Sequence, residues 1–171
     1  VSTWRRLGEP AVPATAKACG HYINSVLARA EAGEAGFDEA VFLDNDGHVS
    51  EGTGENIFLV KDGKIMTPAI ASNILQGITR ETIINLILDR NMSLNERQMT
   101  RGELYTCNEA FFTGTAVEVA PILSIDRKPV GTGKPGPVTL ELQRDYEKVV
   151  TGANKKYLNY ATPVYNISPS Y

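Results

Sequence analysis

Two residues in this sequence could run chemistry together: Lys17, set among small residues in the run PATAKACGHY, and Glu51, in the glycine-rich run VSEGTGENIFLV. A lysine in a crowded, poorly solvated setting has its pKa lowered and offers a neutral amine that can form an imine with an aldehyde. A carboxylate beside a ring nitrogen keeps that nitrogen protonated, and a protonated ring accepts electrons. An amine and an acid of this kind operate an organic electron sink, and the chemistry they imply is that of pyridoxal phosphate. Most lysines are surface groups, and an isolated Ser-Glu-Gly is usually a solvated turn. The pair therefore needs support from its surroundings.

That support comes from two turns able to bind anions. Ile78 and Thr79 follow Gly77 and open an apolar helical pattern, so free backbone amides, the positive end of a helix dipole and a hydroxyl converge there. Gly114, Thr115 and Ala116 form a second turn of small residues behind Phe111 and Phe112 and can also present amides and a hydroxyl. Two such turns suit a ligand with two anionic ends. Gly52 and Gly54 flank Glu51 and allow close approach of a backbone or a flat ring. Glu55 in the same loop reads as a structural hydrogen-bonding group, since two ionised carboxylates facing one ring would repel. His21 and His48 are far apart and lack a carboxylate or second histidine at ligand spacing, so neither is assigned to a metal. No serine, histidine and aspartate order suggests a hydrolase triad.

The elements that must position these groups are legible from periodicity and turn chemistry. Tyr22, Ile23, Val26, Leu27 and Ala30 recur at helical spacing and predict a helix from near Lys17 to about Ala32, with Lys17 in its first turn. Residues 40–43 and 48–50 flank an Asp-Gly turn, and residues 56–60 and 64–67 flank a second, giving two hairpins of an antiparallel sheet. A helix starting at Thr79 runs to Asp89, and a last helix spans residues 137–149. Further strands are expected at 94–99, 109–112, 117–123 and 129–131, with an extended tail from Lys155 to Tyr171. The fold class is mixed α/β with much antiparallel sheet.

Composition bounds the function. The 171 residues, 42% hydrophobic and 22% charged, suffice for one well-buried domain. The net charge of -3, with scattered basic residues, gives no footprint for nucleic acid. No apolar run has the length of a membrane span and no signal-peptide pattern is present, so the expected location is cytoplasmic. Cys19 and Cys107 have no metal or redox spacing and are expected as reduced thiols.

The runs VSTWRR, AKACGHYINSVLARAEA, GFDEAVFLDNDGHVSEGTGENIFLV, LQGITRE, ELYTCNEAFFTGTAVEVAPI and GPVT, in this order, resemble the larger, C-terminal domain of class IV (fold type IV) pyridoxal-phosphate aminotransferases, and most closely branched-chain amino acid aminotransferases. The resemblance implies an antiparallel-rich pseudo-barrel with surrounding helices, in which residues 1–171 form the single cofactor-binding domain. The smaller N-terminal domain, expected to supply an arginine to the phosphate and residues around the substrate side chain, would be absent from this chain. It further implies pyridoxal 5'-phosphate held as a Schiff base on Lys17, Tyr22 at the phenolic oxygen, Glu51 at the pyridine nitrogen and Leu75 on the ring face. Ile78, Thr79 and Thr115 would hold the phosphate, and Thr115 and Ala116 would receive the substrate carboxylate. The implied reaction is ping-pong transfer of the amino group of leucine, isoleucine or valine to 2-oxoglutarate, in a homodimer whose partners are small amino acids and 2-oxo acids. Alternatives within the same fold are a D-amino acid aminotransferase, an aminodeoxychorismate lyase or a non-catalytic cofactor-binding fragment. His21 departs from the pattern, which has asparagine before the tyrosine.

Overall fold

The computed structural model describes residues 1–9, 11–162 and 164. Both hairpins form where the turn chemistry places them. Strands β1 (Val41–Leu43) and β2 (Val49–Gly52) are antiparallel and make a sheet of their own. Their turn is tied by the Asp44 carboxylate, whose Oδ1 accepts from the amides of Asp46 and His48 at 3.0 and 2.8 Å. Strands β3 (Asn56–Lys61) and β4 (Lys64–Thr67) meet at Asp62 and Gly63, both with positive φ, which is the backbone that a two-residue hairpin demands.

The main sheet has five strands, in the order β5-β4-β3-β6-β7, where β5 is Leu94–Glu96, β6 is Glu109–Gly114 and β7 is Glu118–Pro121. All pairings are antiparallel except β4 with β5, which run parallel because helix α2 (Ile78–Asp89) lies between them in sequence. The segments expected as longer strands at 94–99, 117–123 and 129–131 are thus trimmed. Beyond β7 a two-stranded ribbon pairs β8 (Ser124–Ile125) with β9 (Lys128–Pro129).

Alternation along β3 and β6 divides the core into two layers, since successive side chains point to opposite faces. Ile57, Leu59, Ala110 and Phe112 pack with Val41, Leu43 and Val49 of the small hairpin. Phe58, Val60 and Phe111 face the other way, onto Ile83 and Ile87 of α2 and Leu142 and Val149 of helix α3 (Pro137–Val150). Phe58 and Phe111 stack at 5.0 Å between ring centroids. The result is a mixed α/β fold, antiparallel-rich, with both faces of the main sheet covered.

Helix α1 occupies Tyr22–Glu34 and is preceded by a 3-10 turn over Cys19–His21, so Lys17 lies in the connecting loop and not in the first turn. The loop is held tight by Ala16 and Ala18 amides donating to Pro13 and Ala16 carbonyls, and Ala18 is extended, which delays the helix. The tail also differs from expectation. Lys155–Tyr160 form a 3-10 helix because Asn154 caps it and the Tyr157 hydroxyl donates to Asp89 at 2.8 Å. The end of the expected extended tail, at 163 and 165–171, lies outside the described residues.

Candidate active site

A cleft of about 370 Å³ opens where the loop before α1, the end of β2, the start of α2 and the end of β6 converge. This size lies within the range of small-molecule sites. Lys17, Tyr22, Glu51, Leu75, Ile78, Thr79 and Thr115 all line it, so residues from four separate stretches of sequence meet there. Ala116 does not line the cleft. It sits exposed one residue beyond Thr115, on the turn between β6 and β7.

Glu51 is the most constrained of these groups. It lies inside β2, one residue from the strand's end, and is only 3% exposed, which excludes a solvated turn. Its Oε2 accepts from the Asn56 side chain and the Leu75 amide, both at 3.0 Å. Asn56 also donates to the Leu75 carbonyl at 2.8 Å, tying β3 to the segment that leads into α2. Gly77 permits this close approach, because a Cβ there would stand 2.3 Å from the Asn56 Oδ1. The Arg6 guanidinium forms an ion pair with Glu51, its Nη2 being 2.8 Å from Oε1. Oε1 has no partner besides this guanidinium. Burial pushes the Glu51 carboxyl up to about 7, opposed chiefly by the positive charge of Arg6 and then by the Leu75 amide.

The cleft also holds donors without partners. Helix α2 begins at Gly77 with no side-chain cap, leaving the first amides, at Ile78 and Thr79, free toward the cleft. Thr79 is buried with its hydroxyl 3.5 Å from that of Tyr146, whereas the Ile78 side chain projects into solvent. Thr113, fully buried opposite Asn56 in the β3–β6 pairing, also lines the cleft with an unpartnered hydroxyl. Lys17 and Thr115 are exposed to the opening, so the crowding expected around the lysine is confined to small neighbours and does not bury it. Glu55 keeps its structural role: its Oε2 accepts from the Gly54 amide at 3.0 Å, and burial raises its pKa.

Three contributors escaped the sequence reading. Arg6 carries no signal beyond its place in VSTWRR, Asn56 opens a predicted strand, and Thr113 follows the predicted strand 109–112 and belongs to β6. Only the strand alternation, which puts Asn56 and Thr113 on one face, could have pointed to the last two. Asp44, Asp46 and His48 do come together, with His48 Nδ1 3.5 Å from Asp44 Oδ2, although sequence spacing suggested no carboxylate beside His48. Asp44 Oδ1 is engaged by the turn amides, which gives that cluster a structural explanation. Both cysteines are free.

A buried acid paired with Arg6, an amine at the mouth and an uncapped helix start suit a flat, basic heterocycle carrying an anionic group. Pyridoxal 5'-phosphate fits the chemistry of this donor set, with an acid to pair with a ring nitrogen and free amides to receive a phosphate. The sequence pattern described as amino-transferase class IV matches residues 1–125, and the chain belongs to that family. It is 45% identical over 167 residues to a probable branched-chain-amino-acid aminotransferase of Aquifex aeolicus, covering 97% of this chain and 54% of that protein. Among solved structures, the branched-chain aminotransferase of the archaeon Thermoproteus uzoniensis, crystallised with norvaline, superposes with a TM-score of 0.93 at 46% identity over 96% of this chain and 55% of its own. The branched-chain amino acid aminotransferase of Thermobaculum terrenum, crystallised in its PLP-bound holo form, gives the same TM-score, 0.93, at 44% identity over 96% of this chain and 54% of its own. The chain thus spans about half the length of the relatives it matches.

Proposed function

We propose that this chain carries the cofactor-binding part of a branched-chain amino acid transaminase, which moves the amino group of leucine, isoleucine or valine to 2-oxoglutarate with pyridoxal 5'-phosphate on Lys17. The observation that carries the reading is the buried Glu51 carboxyl in the same cleft as Lys17. When bound, pyridoxal phosphate supplies an electron sink for the bond that breaks at the substrate Cα. Glu51 holds a proton on the ring nitrogen. Burial raises its carboxyl to about 7 even beside Arg6, and a further positive charge at the ring would favour its ionised form. Lys17 anchors the cofactor and, when released by the incoming amine, is the base placed to take the Cα proton. Tyr22 would orient the cofactor ring, Leu75 would cover a ring face, and Ile78, Thr79 and Thr115 would hold the phosphate. Amides around Thr115 and Ala116 receive the substrate carboxylate.

The residues correspond, in this reading, to the larger, C-terminal domain of a cytoplasmic homodimeric enzyme. An outward-facing apolar stripe on α1 supports a covering partner: Ile23 is 67% and Val26 66% exposed, while the helix buries small or polar residues such as Asn24, Ser25 and Ala28. Among the described residues, no helix is long and apolar enough to cross a membrane. The activity is tested by loading the chain with cofactor and following single-turnover loss of its visible absorbance. L-valine bleaching the spectrum, with D-alanine inert, is the expected result. Bleaching by D-alanine alone, or by neither amino acid, overturns the substrate assignment.

A further inference from the structure

Arg6 reaches Glu51 by an unusual route. The N-terminal segment runs beside β1, with Ser2 and Arg6 amides donating to Val41 and Leu43 carbonyls at 3.0 and 2.9 Å, and β1 in turn pairs with β2, which carries Glu51. The Arg6 side chain therefore crosses β1 to reach the acid. On the way it lies 5.6 Å from the centroid of the buried Phe42 ring, and its Nη1 donates to the Ser25 hydroxyl of α1 at 3.3 Å. Arg6 is 7% exposed, and its Nε has no hydrogen-bond partner. A guanidinium taken out of water at that cost, with part of its donor set unused, is poorly explained as a fold-stabilising bridge, because buried ion pairs are weak contributors to stability.

We propose that Arg6 is a positioning residue for the acid of the cleft: reaching it across β1, it grips the Glu51 carboxylate at Oε1 while Asn56 and the Leu75 amide hold Oε2, and so fixes the orientation of the acid and favours its charged form. The geometry separates the two oxygens. Oε2 is held by Asn56 and the Leu75 amide, both at 3.0 Å. Oε1 is buried against Arg6 at 2.8 Å and has no other partner. The other charged or titratable groups around the acid are Glu55, which opposes its ionisation, and Lys17 and Tyr22, which line the same cleft. Arg6 is the cation in contact with it among the described residues.

The inference rests on the reading of Glu51 as the partner of the ring nitrogen, and the test separates the two. In the cofactor-free chain carrying 13C-labelled glutamate, Glu51 is assigned by its loss in Glu51→Gln and titrated by NMR. Arg6→Met is expected to move its midpoint up by about 1–3 pH units, and Arg6→Lys to restore most of that displacement. A Glu51 midpoint in Arg6→Met equal to that of the wild type overturns the proposal. If Arg6→Met does not fold, the wild type alone decides: its Arg6 guanidinium 15N resonances must move with the Glu51 midpoint, and guanidinium signals indifferent to that titration overturn the proposal equally. Ring-15N pyridoxal phosphate bound to the wild type reports the other reading. An unprotonated ring nitrogen there removes Glu51 from its assigned role while leaving the Arg6–Glu51 coupling measurable.

Discussion

Replacing Glu51 by glutamine should make the cofactor-free protein more stable above neutral pH, although it removes the acid on which the cleft depends. Glu51 is 3% exposed, and its carboxyl is raised from 4.5 to about 7, mainly by burial. Because the folded state binds this proton more tightly than the unfolded chain, the contribution to stability is fully present below about pH 4.5 and is lost as pH rises to about 7. At about 1.4 kcal/mol for each factor of ten, the loss amounts to about 3 kcal/mol. Glutamine has nearly the same shape and no charge to desolvate, so it escapes this loss. Urea denaturation of both proteins without cofactor, at several values between about pH 4 and pH 8.5, gives the difference in unfolding free energy, in which most other titrations cancel. The expected difference is near zero at the acid end and grows to about 3 kcal/mol in favour of Glu51→Gln at the alkaline end. A difference that stays flat across the range, or grows in favour of the wild type, refutes the reasoning. A site kept strained for function in this way is a common exchange of stability for activity.

Other consequences follow from the same contacts. Gly77→Ala places a methyl against Asn56 Oδ1, displacing the side chain that holds Glu51 Oε2; a destabilisation of about 1–3 kcal/mol and a clear drop in pyridoxal phosphate affinity are expected by urea titration and fluorescence. Thr79→Val removes a buried hydroxyl at the uncapped start of α2 and should weaken pyridoxal phosphate about tenfold, at about 1.5 kcal/mol for a hydrogen bond to a charged group, while leaving unphosphorylated pyridoxal unaffected. Phe111→Ala, fully buried and stacked on Phe58, should cost about 3–5 kcal/mol in denaturant unfolding with little change in cleft chemistry.

What could be read from sequence was what local chemistry determines. Asp-Gly and Asp62-Gly63 turns fix their hairpins within a few residues, and Pro137 behind Gly136 starts α3 as written. The strand ends and the start of α1 were misplaced because Ala18 prefers neither state on its own and the preceding turn settles it. The two hairpins, expected in one antiparallel sheet, fall in separate sheets, and β5 pairs parallel with β4; both are tertiary outcomes invisible to periodicity. For the site, Lys17, Glu51 and the two anion turns were visible as residue types in suggestive settings. Arg6, Asn56 and Thr113 were not, since each acts through a neighbour brought close only by strand pairing. The apolar stripe of α1 was read correctly as helical, but it points outward while the polar face is buried.

The account stands on an amine and an acid meeting across one cleft, and reductive trapping with peptide mapping tests this most directly. Mixed with pyridoxal phosphate and treated with borohydride, the chain should carry the cofactor on the peptide containing Lys17, with labelling abolished in Lys17→Ala and competed by inorganic phosphate. Label spread over other lysines, or undiminished in Lys17→Ala, contradicts it.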